Sequence, residues 1–199
     1  MSSATTSKKE KRSIVIFGDS FGASNPNHEF PGWVEMLQDH HNVTNFCQHG
    51  VSQYKIYQQI LQADLDKFDH VIVTHTSPFR VFVRENLLHK NDPIYKNCDL
   101  IFLDIENRTD EFSVSAQQYF KYIYDIEYTL DIHNMICDRM NSLLANKPCT
   151  HITHFDYSDC YRFPNLKSFH DVWQVNRGTV HHYNQKGNKL ISDYLLNLL

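Results

Sequence analysis

Two short stretches at opposite ends of the chain carry residue types that can do nucleophilic chemistry. Gly18-Asp19-Ser20-Phe21-Gly22 follows directly on the apolar run Ile14-Val15-Ile16-Phe17. A serine on a glycine-flanked turn at the end of a strand is how a fold exposes a hydroxyl nucleophile. His181-His182-Tyr183-Asn184-Gln185-Lys186-Gly187 precedes an amphipathic final segment. A serine early and a histidine late make a nucleophile and its base when two loops bring them to one place.

The elements between them must do that positioning. Ile14–Phe17 reads as a first buried strand. A helix is expected from Pro31 through Trp33, Val34 and Leu37, with proline at a tolerated first-turn position. Asn42–Cys47 is the second expected strand. Ser52 can cap a helix running to about Lys67, with Ile56, Ile60 and Leu61 on its buried side. Val71-Ile72-Val73 is a short third strand. Residues 76–112, interrupted by Pro78 and Pro93, predict two or three short helical pieces. From Ser113 to Asn146, Tyr119, Ile123, Ile126, Leu130, His133, Cys137, Met140 and Leu144 recur at steps of four and three, which predicts one long helix with a single stripe. Lys147-Pro148 ends it. Cys149–Phe155 reads as a strand, 156–180 mostly as loop, and Asn184–Leu199 as a closing helix.

This alternation predicts an α/β fold, a three-layer α/β/α sandwich on a parallel sheet of four or five strands. Sites in such folds lie at the carboxyl ends of the strands. Ser20, Gly50–Gln53 and His75–Ser77 follow strands one, two and three, so three loops converge on one edge. The expected organisation is a lead-in over residues 1–12, Ser/Thr/Lys-rich with no apolar stretch and so not a secretory signal, and a single domain over residues 13–199.

Gly18-Asp19-Ser20-Phe21-Gly22 also satisfies the G-x-S-x-G elbow of α/β-hydrolases. Its position speaks against that reading, because several strands precede the elbow in that fold. The order of blocks instead resembles the SGNH (GDSL-type) hydrolase family. Gly18-Asp19-Ser20 matches the family's first block. Its second resembles Gly-Val-Ser-Gly, here Gly50-Val51-Ser52-Gln53; its third is Gly-x-Asn-Asp, here His75-Thr76-Ser77-Pro78. The last is Asp-x-x-His continued by x-Asn-x-x-Gly, matched by His182 to Gly187 with Thr179 at the aspartate position.

The resemblance implies a flavodoxin-like sheet and a serine esterase acting on a small-molecule or carbohydrate ester, such as a carbohydrate O-acetyl group or a lipid ester. It makes Ser20 the nucleophile and His182 the base, with His181 the competing imidazole one position away. It places the oxyanion among the Ser20 N–H, the Gln53 N–H and the Ser77 hydroxyl. Glutamine keeps the amide donor of the family's glycine, and a hydroxyl replaces asparagine with a shorter reach. Thr179 can orient the imidazole only weakly, and Asp171, in the loop before the last block, is a second candidate to do so. Arg80, just past the third block, can meet an anionic substrate group. Phe79, Phe82 and Tyr95 of the long insertion suit a pocket wall.

Composition bounds the partners. Hydrophobic residues make up 41% and charged residues 21%, as in a globular chain, and the net charge of −4 speaks against a general nucleic-acid binder. No apolar run is long enough to span a membrane. Five cysteines, an odd number without CxxC spacing, predict free thiols in a reducing, cytoplasmic compartment. The thirteen histidines do not predict a metal: His151 and His154 sit three apart on a strand and so face opposite ways, and the adjacent pairs His40-His41 and His181-His182 are poorly spaced for one ion. His133 is expected in the core, with its ring hydrogen-bonded, and Asp19 in the turn rather than in the chemistry. No cofactor is called for, and the oligomeric state is left open. Three function classes stand at this point: a serine esterase, a catalytically reduced ligand-binding relative, and an interaction protein using only the scaffold.

Overall fold

A computed structural model describes residues 10–24, 29–156, 160–179 and 182–199. Residues 1–9, most of the expected lead-in and part of its Lys8-Lys9-Lys11-Arg12 cluster, lie outside the described residues, as does His181.

Five strands form one parallel sheet: β1 Ser13–Gly18, β2 Asn42–Asn45, β3 His70–His75, β4 Cys149–Thr153 and β5 Lys167–Ser168, in the order β2-β1-β3-β4-β5. β1 therefore lies inside the sheet. Ile14, Val15, Ile16 and Phe17 of β1 and Val71, Ile72 and Val73 of β3 are all fully buried. Continuous apolar runs of this kind belong to strands covered on both faces. Helices α1 (Trp33–Gln38) and α6 (Gln185–Leu198) pack on one face, where Ile14, Ile16, Ile72 and Ile152 meet Trp33, Val34, Leu37, Ile191 and Leu195. α2 (Gln53–Gln62) and α4 (Ile126–Leu144) cover the other, where Val15, Phe17, Val71 and Val73 meet Ile56, Ile60, Cys137 and Met140. The protein is a three-layer α/β/α sandwich.

Several boundaries differ from the sequence reading, each for a local reason. α1 begins at Trp33 with Gly32 as its N-cap, so Pro31 stands before the helix. β2 stops at Asn45, whose side chain bends back to accept from Cys47 N–H at 3.0 Å. Ser52 does cap α2, accepting from Lys55 N–H, but the helix ends at Gln62 and Leu65–Lys67 is a separate 3-10 turn. The long helical pattern is two helices: α3 over Glu111–Tyr122 and α4 from Ile126, because the Asp125 carboxylate accepts from Tyr128 N–H and starts a new helix. The predicted stripe survives in α4, where His133, Cys137, Met140 and Leu144 are buried, whereas Ile123 and Ile126 are exposed. The expected loop 156–180 contains β5 and α5 (His170–Val175). All five cysteines are free thiols. Among the described residues no helix is long and apolar enough to cross a membrane.

The core holds an unusual share of histidine. On the α2/α4 face the Gln53 amide donates to His75 Nδ1 at 2.8 Å, so His75 carries its proton on Nε2 and donates to His151 Nδ1 at 3.0 Å. His151 Nε2 then faces the Cys149 sulfur at 3.4 Å. On the α1/α6 face Tyr183 O–H donates to the Phe169 carbonyl. His154 Nδ1–H therefore donates to the Tyr183 oxygen at 2.7 Å, and its Nε2 accepts from the Thr74 hydroxyl at 2.9 Å. His151 and His154 face opposite sides of the sheet, as strand periodicity requires. His133 is buried as expected, but its Nε2 has no hydrogen-bond partner.

Burial keeps these rings neutral. It lowers His133 and His151 to about 4 and His154 to about 3, and holds His75 well below its usual range. The unfolded chain takes up these protons near pH 6.5 and the folded chain does not, so their stabilisation is present above that pH and is lost as pH falls. Each proton withheld costs about 1.4 kcal/mol per pH unit, and four together outrun a typical stability of about 5–15 kcal/mol within a few units. Circular dichroism against pH is expected to show cooperative acid unfolding by about pH 5. A chain still native at pH 4 would mean that these imidazoles charge without unfolding it.

Candidate active site

The serine turn is built by close approach of two strands. A Cβ on Gly18 would run into the Thr74 side chain and stand 2.6 Å from its carbonyl oxygen, so only glycine lets β1 pass β3 here. Asp19 follows, 2% exposed, and its Oδ1 accepts from Phe21 N–H at 3.1 Å while Gly22 N–H returns to Asp19 O. The carboxylate thus shapes the turn that presents Ser20, as expected of it. Burial raises its pKa to about 7, against the pull of the Phe21 amide and of Arg80.

The histidine arrives on a second turn. Gly178 N–H donates to His182 O at 2.7 Å, His182 N–H to Thr179 O at 3.1 Å, and Asn184 N–H to Asn176 O at 2.8 Å. Asn184 then caps α6 by accepting from Gly187 N–H, and a Cβ on Gly187 would stand 2.7 Å from the Tyr183 ring. The Asn-x-x-Gly spacing is therefore a helix start that holds His182 just before it.

Trp33 joins the two turns. Its indole N–H donates to Phe21 O at 2.7 Å, and its main-chain N–H donates to Asn188 Oδ1 at 3.2 Å. The Phe21 ring stacks on His154 at 4.4 Å and meets the His182 ring at 5.1 Å. Ser20 and His182 consequently line one narrow crevice with Trp33, Glu35, Tyr183 and Asn188, on the α1/α6 side of the carboxyl edge. No hydrogen bond joins Ser20 to His182 among the described residues. His49, 6% exposed, packs its ring 6.4 Å from that of His182.

The remaining predicted residues lie elsewhere. Gln53 heads α2, so its N–H is a first-turn amide without an intrahelical acceptor. Its side chain turns into the α2/α4 face, where it lines a separate cavity together with Arg80 and Phe82. Ser77 is 6% exposed, and its hydroxyl accepts from Phe79 N–H. Asp99, fully buried, fastens the long insertion to the start of α2: it accepts from Ser52 N–H at 2.7 Å and Val83 N–H at 2.9 Å and pairs with Lys55 at 2.8 Å. Tyr95 packs on His49 instead of on that cavity. Thr179 is exposed and meets His182 through the main chain alone; Asp171 is exposed on α5. Neither side chain makes a described contact with the imidazole.

Phe21, Trp33, His154 and Asn188 went unread in the sequence as parts of this site. Each is a common core or helix residue type, and its role comes from a partner distant in the chain. No protein-family model, curated protein or solved structure matches the chain.

The raised pKa of Asp19 has a stability consequence opposite in sign to that of the histidines. A carboxyl with a raised folded pKa favours the folded state most below its unfolded value of 3.8, and that favour is lost as pH rises to about 7. In urea titrations Asp19→Asn should therefore gain on wild type by about 2.6 kcal/mol between pH 5 and pH 8. Parallel stability curves across that range would show that Asp19 is already charged at pH 5.

Proposed function

We propose that the chain is a serine ester hydrolase in which Ser20 is the nucleophile and His182 the base. The observation that carries this reading is that a serine on a strand-end turn and a histidine from the far end of the chain line one crevice at the carboxyl edge of a parallel sheet. Ser20 Oγ attacks the acyl carbon as His182 takes its proton. The proton passes to the leaving alkoxide, and water then releases the acyl group from Ser20. The Ser20 amide is the donor assigned to the oxyanion; Gln53 and Ser77, which the resemblance also implied, do not line the crevice.

Thr179 stands where the resembling family carries its orienting aspartate, and we read the unit as a dyad. In serine proteases, loss of the orienting aspartate costs about 10⁴ in turnover, and a slow enzyme is expected here. That same feature favours a second reading, a ligand-binding protein on a hydrolase-like scaffold.

The test is labelling with a fluorophosphonate, read by mass spectrometry, alongside hydrolysis of p-nitrophenyl acetate. Wild type should carry the label on Ser20 and turn over the ester. Ser20→Ala and His182→Ala should lose turnover, and Ser20→Ala should lose the label. An unlabelled wild type without turnover would sink the esterase and favour the ligand-binding reading. Thr179→Asp is expected to leave the rate unchanged, because the side chain points to solvent; a clear rise would place residue 179 against the ring.

A further inference from the structure

The cavity on the α2/α4 side is larger than the serine crevice and chemically different from it. It holds about 310 Å³, the lower range for a small-molecule site. Its walls are apolar and aromatic, with Phe82 from the insertion, Tyr119 from α3 and Ile132 from α4. Ile123 and Tyr128, 72% and 67% exposed, stand at its open side.

Two polar atoms in its lining are buried without partners. His133 is 3% exposed and its Nε2 has no hydrogen bond; Gln53 is 3% exposed and its Oε1 has none, since its amide nitrogen serves His75 and Met140. Leaving a buried polar atom unpaired costs about 1–3 kcal/mol, and a ligand that pairs it recovers that. His133 is held neutral by burial, so it meets a ligand as a hydrogen-bonding group, not as a charge.

The positive charge in the lining comes from Arg80. Its side chain is 19% exposed and loosely held, with Nη1 3.4 Å from the Asp99 carbonyl and 3.9 Å from the Asp104 carboxylate. A guanidinium held by single, long contacts keeps its fork free for a carboxylate. Asp125, the acid in the same lining, is committed to the start of α4, where it accepts from Tyr128 N–H at 2.7 Å.

We propose that this cavity is a binding site for a small amphipathic carboxylate, its anionic end on Arg80, its apolar body against Phe82, Tyr119 and Ile132, with Gln53 and His133 bonding polar atoms of the ligand or a water beside it. The site lies on the opposite face of the sheet from the serine crevice and does not rest on the esterase reading.

The experiment is isothermal titration calorimetry of the full chain with 4-phenylbutanoate, and with 4-phenylbutan-1-ol as the uncharged counterpart. One site is expected, binding the carboxylate at least tenfold more tightly than the alcohol. Arg80→Gln should remove that preference, Ile132→Trp should fill the cavity and abolish both, and Ser20→Ala should bind as wild type does. The His133 imidazole ¹⁵N resonances should move on titration while those of His154 stay, a readout that needs no variant. The proposal is overturned by absence of binding at millimolar carboxylate, by equal affinity for acid and alcohol, or by an Arg80→Gln variant that binds the acid undiminished. Loss of binding in Ser20→Ala would move the ligand to the serine crevice and overturn it equally.

Discussion

The indole of Trp33 is the contact on which the candidate active site depends. It is fully buried at the start of a helix of only six residues, too short to persist without tertiary packing. From there it donates to the carbonyl of Phe21 on the serine turn, while its own amide is taken by Asn188 of the last helix. One residue, through its indole and its main-chain amide, thus ties the loop after the first strand to the helix that follows His182. Both hydrogen bonds lie in a region of low dielectric, where an unmade bond is costly and a made one is specific. The two turns are therefore held in register with each other by a third element that contributes no chemistry of its own.

The second constraint is the tight passage of β1 over β3. Gly18 allows it, and the chain that emerges must bury Asp19 at once. A buried carboxyl close to neutrality in its titration is an expensive way to shape a turn. Its partners explain why the turn tolerates it: the Phe21 amide bonds it directly, and Arg80, across the carboxyl edge, opposes its charge. Arg80 also lines the cavity on the other face, so one guanidinium bears on both sites. Gly50 serves the same edge: its positive φ of 64° and the 2.7 Å approach of Cys98 to its missing Cβ let the insertion close over the start of α2.

The histidines at the carboxyl ends of β3 and β4 are core structure. His75 and His151 form a directed chain of hydrogen bonds with Gln53 and Cys149, and both rings lie against Phe163 at 4.1 and 4.2 Å. His154 holds Thr74 and Tyr183 together beneath Phe21. Imidazoles used in this way satisfy polar groups that aliphatic side chains would leave unpaired, at the cost of tolerance to acid.

The sequence alone determined the layers. Continuous apolar runs at Ile14–Phe17 and Val71–Val73 can only be strands covered on both sides, and their alternation with amphipathic helices leaves a parallel sheet as the packing that buries both faces. It also determined the local chemistry of caps and turns, because Ser52, Asn184 and Gly18 act through atoms a few residues away or through the backbone itself. Tertiary structure decided the rest. The helix break at Asp125 was hidden, since a cap aspartate inside an unbroken apolar period looks like one more polar position. β5 is two exposed residues, which have no pattern to read and exist only because β4 offers an edge. The separation of Gln53 and Arg80 from the Ser20 and His182 crevice was equally invisible. Being in loops at the same sheet edge brings residues near one another, but the face into which each side chain turns depends on which helix lies over it. That depends on contacts such as Trp33 with Asn188 and Asp99 with Ser52, between residues far apart along the chain.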